Sequence, residues 1–314
     1  MRGGRPTPLL AMLLVLAGCS GLDYRQVLEN PSPLPPRVRV EGVPFFPQRE
    51  DYCGPASLAM VLAWSDRQVS RDVLASQLLT PDREGTLRSD LVGGARRQGR
   101  LAVPVRGLRA LLGELAEGHP VVVLQNLGLS WLPRWHYAVA VGYDLPRGDI
   151  LLHTGRRRSR RVALATFERT WDRADRWGIV VLPPGKLPAT AGPVAVLRAG
   201  VGLEKARQAK AAAATYAAVT RRWPGRLGGW IGLGNTRHRL GHLAGAEAAF
   251  RAAVRHRPRS GVAWNNLAVV LAARGRDGEA MQAAIRAVRL GGKEHPEYRA
   301  TLREIRGKES GRSR

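Results

Sequence analysis

Residues 48–64 run Gln48-Arg49-Glu50-Asp51-Tyr52-Cys53-Gly54-Pro55-Ala56-Ser57-Leu58-Ala59-Met60-Val61-Leu62-Ala63-Trp64. The part after Cys53 reads as a buried helix: Pro55 falls in the first turn, where its missing N–H costs nothing, and the run Ala56 to Trp64 follows. Cys53 therefore stands at a helix amino terminus. The positive end of the helix dipole there stabilises thiolate over thiol, lowering the pKa and supplying a nucleophile near neutral pH. A buried cysteine can also be a small apolar filler, but a place at a helix start beside Gly54-Pro55 points to the thiolate. Gln48, five residues upstream, carries an amide that can donate to a developing oxyanion, with the Cys53 backbone N–H as the second donor.

Such a nucleophile needs a base. Of the seven histidines, His238, His242, His256 and His295 fall in a helical carboxy-terminal region, and His119 abuts Pro120 where a strand begins. His136 and His153 remain. His136 opens the β-patterned run His136-Tyr137-Ala138-Val139-Ala140-Val141-Gly142-Tyr143-Asp144 after the loop Leu132-Pro133-Arg134-Trp135, so its imidazole projects from a strand start toward a cleft. There it can take the Cys53 proton and form a thiolate–imidazolium pair. No Cys/His cluster has zinc-ligand spacing, so no metal is expected, and a Cys–His pair needs no cofactor.

These motifs, Gln48-x-x-x-x-Cys53-Gly54-Pro55-Ala56, His136-Tyr137-Ala138-Val139 and Gly142-Tyr143-Asp144, resemble bacterial cysteine peptidases of the bacteriocin-processing type, which have a papain-like fold. The resemblance covers roughly Val38 to Pro183, including a closing helix Phe167-Glu168-Arg169-Thr170-Trp171 and a strand Gly178-Ile179-Val180-Val181-Leu182. It implies Cys53 as nucleophile, His136 as general base and Gln48 as oxyanion residue. One departure stands out. The family usually places Asp or Asn on the strand after the histidine, whereas this strand reads Asp149-Ile150-Leu151-Leu152-His153-Thr154-Gly155. Asp144 lies eight residues along the strand from His136, about 26 Å at 3.3 Å per residue, and cannot substitute easily. Thr154, His153 or a backbone carbonyl is left to orient the imidazole.

The chain has 314 residues and only two cysteines, Cys19 and Cys53, so no disulfide framework is expected. Arg2 and Arg5 precede an apolar run from Leu9 to Ala17, too short to span a bilayer but suited to a secretory signal. The run ends in Leu16-Ala17-Gly18-Cys19, which resembles the bacterial lipobox and implies lipidation of Cys19 as the first mature residue. Ser20, rather than Asp, follows, which by the sorting rule of enteric lipoproteins favours the outer membrane, facing the periplasm. Asn30-Pro31-Ser32-Pro33-Leu34-Pro35-Pro36 reads as an extended spacer able to hold the first domain up to about 60 Å from the lipid. The net charge of +25 is carried by arginines scattered over the chain, and runs such as Arg156-Arg157-Arg158 and Arg160-Arg161 are short and isolated. That pattern argues against nucleic acid as a partner.

Beyond Pro183-Pro184-Gly185 and the prolines Pro188 and Pro193, Ala, Leu and Arg dominate a wholly helical pattern. Trp230-x-x-Leu233-Gly234, Gly241, Ala246, Phe250, Ala253 and Pro258 recur 34 residues later as Trp264-x-x-Leu267-Ala268, Gly275, Ala280, Ala284, Ala287 and Gly292. The period and the residue types resemble the tetratricopeptide repeat, whose small residues let paired helices pack closely. Val196, Ala199-Gly200, Ala212, Tyr216 and Pro224 stand at the same phases one period earlier.

The organisation read from sequence is thus a lipoprotein signal peptide over 1–18, a lipidated proline-rich tether over 19–37 and an α+β papain-like cysteine peptidase domain over 38–183. A linker over 184–193, expected to carry few contacts, leads to an all-α tetratricopeptide-repeat solenoid over 194–294 with a degenerate first copy. A capping helix and basic tail fill 295–314. The function this implies is a membrane-anchored thiol peptidase acting on a peptide or protein, with the repeats binding substrate or a protein partner. Two alternatives share the fold: a cell-wall stem-peptide hydrolase or acyltransferase, and a catalytically weak binding module.

Overall fold

The computed structural model describes residues 23–48, 52–79, 85–291 and 294–312. Cys19 and the apolar run from Leu9 to Ala17, with the expected signal peptide and lipidation, lie outside them. Helix α1 (Asp23–Glu29) and strand β1 (Arg37–Arg39) come first, then α2 (Cys53–Trp64), α3 (Arg71–Leu78), α4 (Arg88–Arg97), β2 (Leu101–Val105), α5 (Leu108–Ala116) and β3 (Val121–Asn126). The hairpin strands β4 (Trp135–Asp144) and β5 (Asp149–Thr154) follow, with β6 (Arg157–Ala163), α6 (Leu164–Asp172) and β7 (Gly178–Leu182) closing the α+β part. The strands form one seven-stranded antiparallel sheet in the order β2-β7-β3-β4-β5-β6, with β1 paired to β4 beyond the end of β3.

Helix α2 explains why its sequence carries no polar stripe. It lies between the sheet, at β4 and β3, and the helices α3 and α4, so every residue from Cys53 to Leu62 is buried. A helix enclosed on all sides has no solvent face to mark with charge.

Two readings of the flanks need correction. The described part of the expected tether is not a free spacer: Asp23 to Glu29 is a helix laid on the domain, with Val27 buried. Both oxygens of the buried Glu168 accept its first backbone N–H groups, from Asp23 at 2.8 Å and Tyr24 at 2.9 Å. A carboxylate at a helix amino terminus satisfies unpaired donors and faces the positive dipole end. Arg176 pairs with Asp23 at 2.5 Å, and Arg109 donates to the carbonyls of Asn30 (2.6 Å) and Ser32 (2.9 Å), so the proline segment is fastened too. The prolines exclude helix only from Pro31 onward; Tyr24 and Val27 had an apolar face to bury.

The linker is likewise docked. The fully buried carboxylate of Glu114 accepts from the Thr190 N–H (2.8 Å), the Thr190 hydroxyl (2.6 Å) and the Ala189 N–H (3.1 Å), and meets His119 Nδ1 at 2.8 Å. These bonds hold the Glu114 carboxyl below the usual range even though burial alone pushes it up. Helix α7 (Pro193–Lys205) then packs on β2 and α4, and Gln208 donates to the Arg97 carbonyl at 2.9 Å. One buried cluster runs from Val27 through the sheet to Val196, Leu203, Tyr216 and Leu233. A second, around Phe250, Leu271 and Ile305, begins only in the later repeats.

The repeats match their sequence phase. Helix α7 pairs with α8 (Ala209–Arg222), α9 (Leu227–Arg239) with α10 (Leu243–His256) and α11 (Gly261–Ala273) with α12 (Asp277–Gly291). The first helices start at 193, 227 and 261, one period of 34 apart. Gly200, Gly234 and Ala268 hold equivalent places, and a Cβ on Gly200 would come within 2.8 Å of the Tyr216 ring while one on Gly234 would strike Phe250. The aromatic ring of each second helix therefore needs the small residue facing it. Helix α13 (Pro296–Arg312) caps the stack.

Because the first repeat completes the core of the α+β part, two truncations differ in outcome. Removing 193–314 uncovers β2 and α4 and leaves an insoluble chain or one with a much lower Tm. Removing 261–314 leaves the α+β part folded. Equal thermal unfolding of its near-ultraviolet signal in both truncated proteins contradicts this. Glu114→Ala strands His119 and three donors and lowers stability in urea by about 3 kcal/mol, the order found for breaking a buried charged pair.

Candidate active site

Cys53 is the first residue of α2, buried and without a side-chain cap at the helix start, and it lines a cavity of about 570 Å³. Gln48, Thr86, His136, Tyr137 and Thr154 line the same cavity, so the chain brings together residues spread over more than a hundred positions. Gly54 sets how tightly this end of α2 can be approached. A Cβ there would come within 2.5 Å of the Thr86 hydroxyl oxygen, which is buried with no hydrogen-bond partner among the described residues.

Strand pairing delivers the histidine and its neighbour. In the β4–β5 register Val139 faces His153, so the following pair along the ladder is Ala138 with Thr154, and His136 lies one diagonal step away on the Thr154 face. His136 Nε2 meets Thr154 Oγ1 at 2.8 Å. This leaves Nδ1 as the ring nitrogen open to a second partner. His153 projects to the opposite face, because successive side chains on a strand alternate. Its Nδ1 accepts the Ser159 N–H at 3.1 Å, its Nε2 donates to the Val43 carbonyl at 3.3 Å, and Phe45 packs edge-on against it. Of the two residues proposed to orient His136, Thr154 touches it and His153 does not. Asp144 sits at the far end of β4, paired with Arg37 at 3.3 Å.

Gln48 is a buried cross-link. Its Oε1 accepts the Gly155 N–H at 2.7 Å, and its Nε2 faces the Ser57 hydroxyl (3.0 Å), the Tyr137 carbonyl (3.1 Å) and, more weakly, the Cys53 carbonyl (3.4 Å). It thereby ties the start of α2 to the strands that carry His136 and Thr154. The Tyr137 hydroxyl donates to the Thr86 carbonyl at 3.1 Å, fixing the opposite wall.

The electrostatics favour a neutral ring. Burial, then the positive charges of Arg134 and Arg160, lower the His136 pKa to about 4. Thr154 is uncharged and cannot offset this as a carboxylate would. At neutral pH the imidazole is therefore unprotonated and a weak base, which takes up a proton only where negative charge develops beside it. Those arginines went unnoticed as a group in the sequence. Arg134 comes from the β3–β4 loop and Arg156, Arg157 and Arg160 from the β5–β6 hairpin, yet all four line the cavity. Read linearly they are short separate runs, and only strand pairing shows them as a cluster.

Residues 40–178 match the model of the Peptidase_C39 like family. Residues 197–260 and 231–295 match that of the tetratricopeptide repeat. The chain thus carries a C39-like peptidase domain followed by tetratricopeptide repeats. Among solved structures, a Bacillus anthracis protein described as a C39-like peptidase is 19% identical, with 46% of this chain and 97% of that one covered and a TM-score of 0.40. The TPR2B domain of yeast Sti1, solved with pHsp70, is 15% identical over 37% of this chain and 97% of that one, TM-score 0.36. The Yersinia enterocolitica type III secretion translocator chaperone SycD is 16% identical over 37% and 83%, TM-score 0.35. No curated protein matches the chain.

A pKa of about 4 for His136 means that, between about pH 6.5 and pH 4, the unfolded chain binds a proton that the folded chain does not, so this group's contribution to stability falls as pH falls through that window. Urea unfolding at pH 7 and pH 5 should show wild type losing more stability than His136→Asn, and the His136 ring resonances should titrate near pH 4. An ordinary titration near 6.5 contradicts the assignment of a buried ring beside two arginines.

Proposed function

From a C39-like peptidase domain joined to tetratricopeptide repeats, we propose that this protein is a thiol peptidase, with Cys53 as nucleophile, His136 as general base and Thr154 as the group that fixes the imidazole. The observation that carries the reading is the shared cavity of Cys53 and His136, with Thr154 holding Nε2 at 2.8 Å and so turning Nδ1 to the remaining side. With Nε2–H donating to Thr154, Nδ1 is unprotonated and takes the Cys53 proton as the sulfur attacks the peptide carbonyl. The carbonyl oxygen becomes an oxyanion, met by the N–H of Cys53 at the helix start and by Gln48, which exchanges its long bond to the Cys53 carbonyl for it. The imidazolium then returns its proton to the leaving amine, and water hydrolyses the thioester with His136 again as base.

A threonine in place of the family's Asp or Asn favours a second reading, a weakly catalytic binding module. Kinetics on a cleaved peptide separate the two. Cys53→Ala and His136→Ala abolish turnover, while Thr154→Ala costs about tenfold to a hundredfold, since nucleophile and base remain. Thr154→Asp raises the His136 pKa and the alkylation rate of Cys53 by iodoacetamide near pH 7, because a carboxylate stabilises the imidazolium. Full activity in Cys53→Ala or His136→Ala overturns the peptidase reading.

The repeats serve, in this proposal, to hold a peptide or protein partner, and Cys19 serves as the lipid attachment in the bacterial envelope. The pinned helix α1 changes the geometry of that attachment. Asp23 stands four positions after Cys19, a reach of about 14 Å at ~3.5 Å per residue, so the peptidase domain works close against the lipid surface. Cys19→Ala should release the protein from membranes or leave its signal uncleaved; normal fractionation and mature size contradict the anchor.

A further inference from the structure

Two of the four arginines at the cavity, Arg157 and Arg160, owe their common direction to one backbone irregularity. On β6, Arg160 faces Leu152 and Arg157 faces Thr154, so β6 has one residue more than β5 between these pairs. Regular alternation would send Arg157 and Arg160, three apart, to opposite faces. The extra residue in the ladder turns both to the face of Thr154. Ser159 lies within it, in the left-handed region at φ 50°, and its N–H is held by the buried ring of His153. His153, on the far face of the sheet, thus pins the bulge that aims two arginines at the site.

Among the described residues, the charge collected there has no acidic counterpart. Among the described residues no acidic side chain comes within ion-pairing distance of Arg134, Arg156, Arg157 or Arg160, and none lines the cavity. The next residue, Arg161, is by contrast flanked by Asp144 at 3.6 Å and Asp149 at 3.8 Å on the other face. Four arginines lining one cavity raise the local potential and favour anions in forked hydrogen-bonding geometry.

We propose that this cleft takes peptides bearing carboxylate side chains close to the scissile bond, and that Arg134, Arg156, Arg157 and Arg160 select them. The proposal rests on the peptidase reading above. It also supplies what Thr154 does not: a substrate carboxylate between Arg134 and Arg160 offsets the positive charge opposing the imidazolium, so the acceptable substrate assists the proton transfer from Cys53.

The test uses the full mature chain and a proteome-derived peptide library, with cleavage sites read by mass spectrometry at low and at 0.5 M salt. Sites flanked by Asp or Glu should exceed their Asn and Gln counterparts by about tenfold or more at low salt, with the preference shrinking as salt screens the arginines. Arg157→Gln with Arg160→Gln should collapse that ratio, and His153→Phe, which frees the bulge, should reduce it with intact folding by circular dichroism. Cleavage indifferent to Asp and Glu, or a preference unchanged in the arginine variant, overturns the inference and leaves the peptidase standing. If no peptide is cleaved, binding of fluorescein-labelled Asp-rich and Asn-rich peptides to Cys53→Ala decides: arginine-dependent preference for the acidic peptide upholds the ligand class while the peptidase reading fails, and equal binding overturns both.

Discussion

The register between β4 and β5 governs the site. With Val139 opposite His153, side-chain alternation puts Thr154 on the face of His136 and His153 on the other. A slip of one residue would exchange the two. The hydroxyl would enter the core, and an imidazole would face the arginines. Gln48 reinforces the register from outside the ladder, since its amide bridges Gly155, just past β5, to Tyr137 on β4 and to the start of α2. The placing of Cys53, His136 and Thr154 around one cavity is therefore a backbone property, fixed by pairing and helix packing before any charge is considered.

Charge then sets the working state. A neutral His136 that shares a cavity with buried Cys53 differs from a preformed ion pair, and Thr154 orients the ring without adding negative charge. In the proposed chemistry the proton moves as the sulfur attacks, and the developing negative charge draws the imidazolium into being. Such a site is quiet without substrate. In the proposed peptidase that economy limits damage to neighbouring proteins, and the proposed arginine selection adds a second restraint.

Much of this was legible in the sequence. A proline in a first turn followed by an unbroken apolar run can mean little other than an enclosed helix, and it located Cys53. The β-patterned run after His136 placed that histidine at a strand start, and a period of 34 with small residues at fixed phases located the repeats. The failures have physical causes too. Prolines 31 to 36 suggested an extended tether, but Glu168, 145 residues away from Asp23, fastens the preceding helix. The docked linker depends on Glu114 in the same way. The choice between Thr154 and His153 needed the register, and the arginine cluster needed the bulge at Ser159. In each case the deciding partner lies far along the chain, where no local pattern can announce it.

The central claim is that Cys53 carries an acyl group during turnover. Rapid mixing of the protein with an activated peptide ester, acid quenching and mass spectrometry of the proteolysed protein would read it directly. The account predicts one acyl adduct, on the peptide containing Cys53, that rises to near one per chain and then decays as product appears. Product formation with Cys53 unmodified, or a saturating ester that leaves no adduct and yields no product, would contradict it.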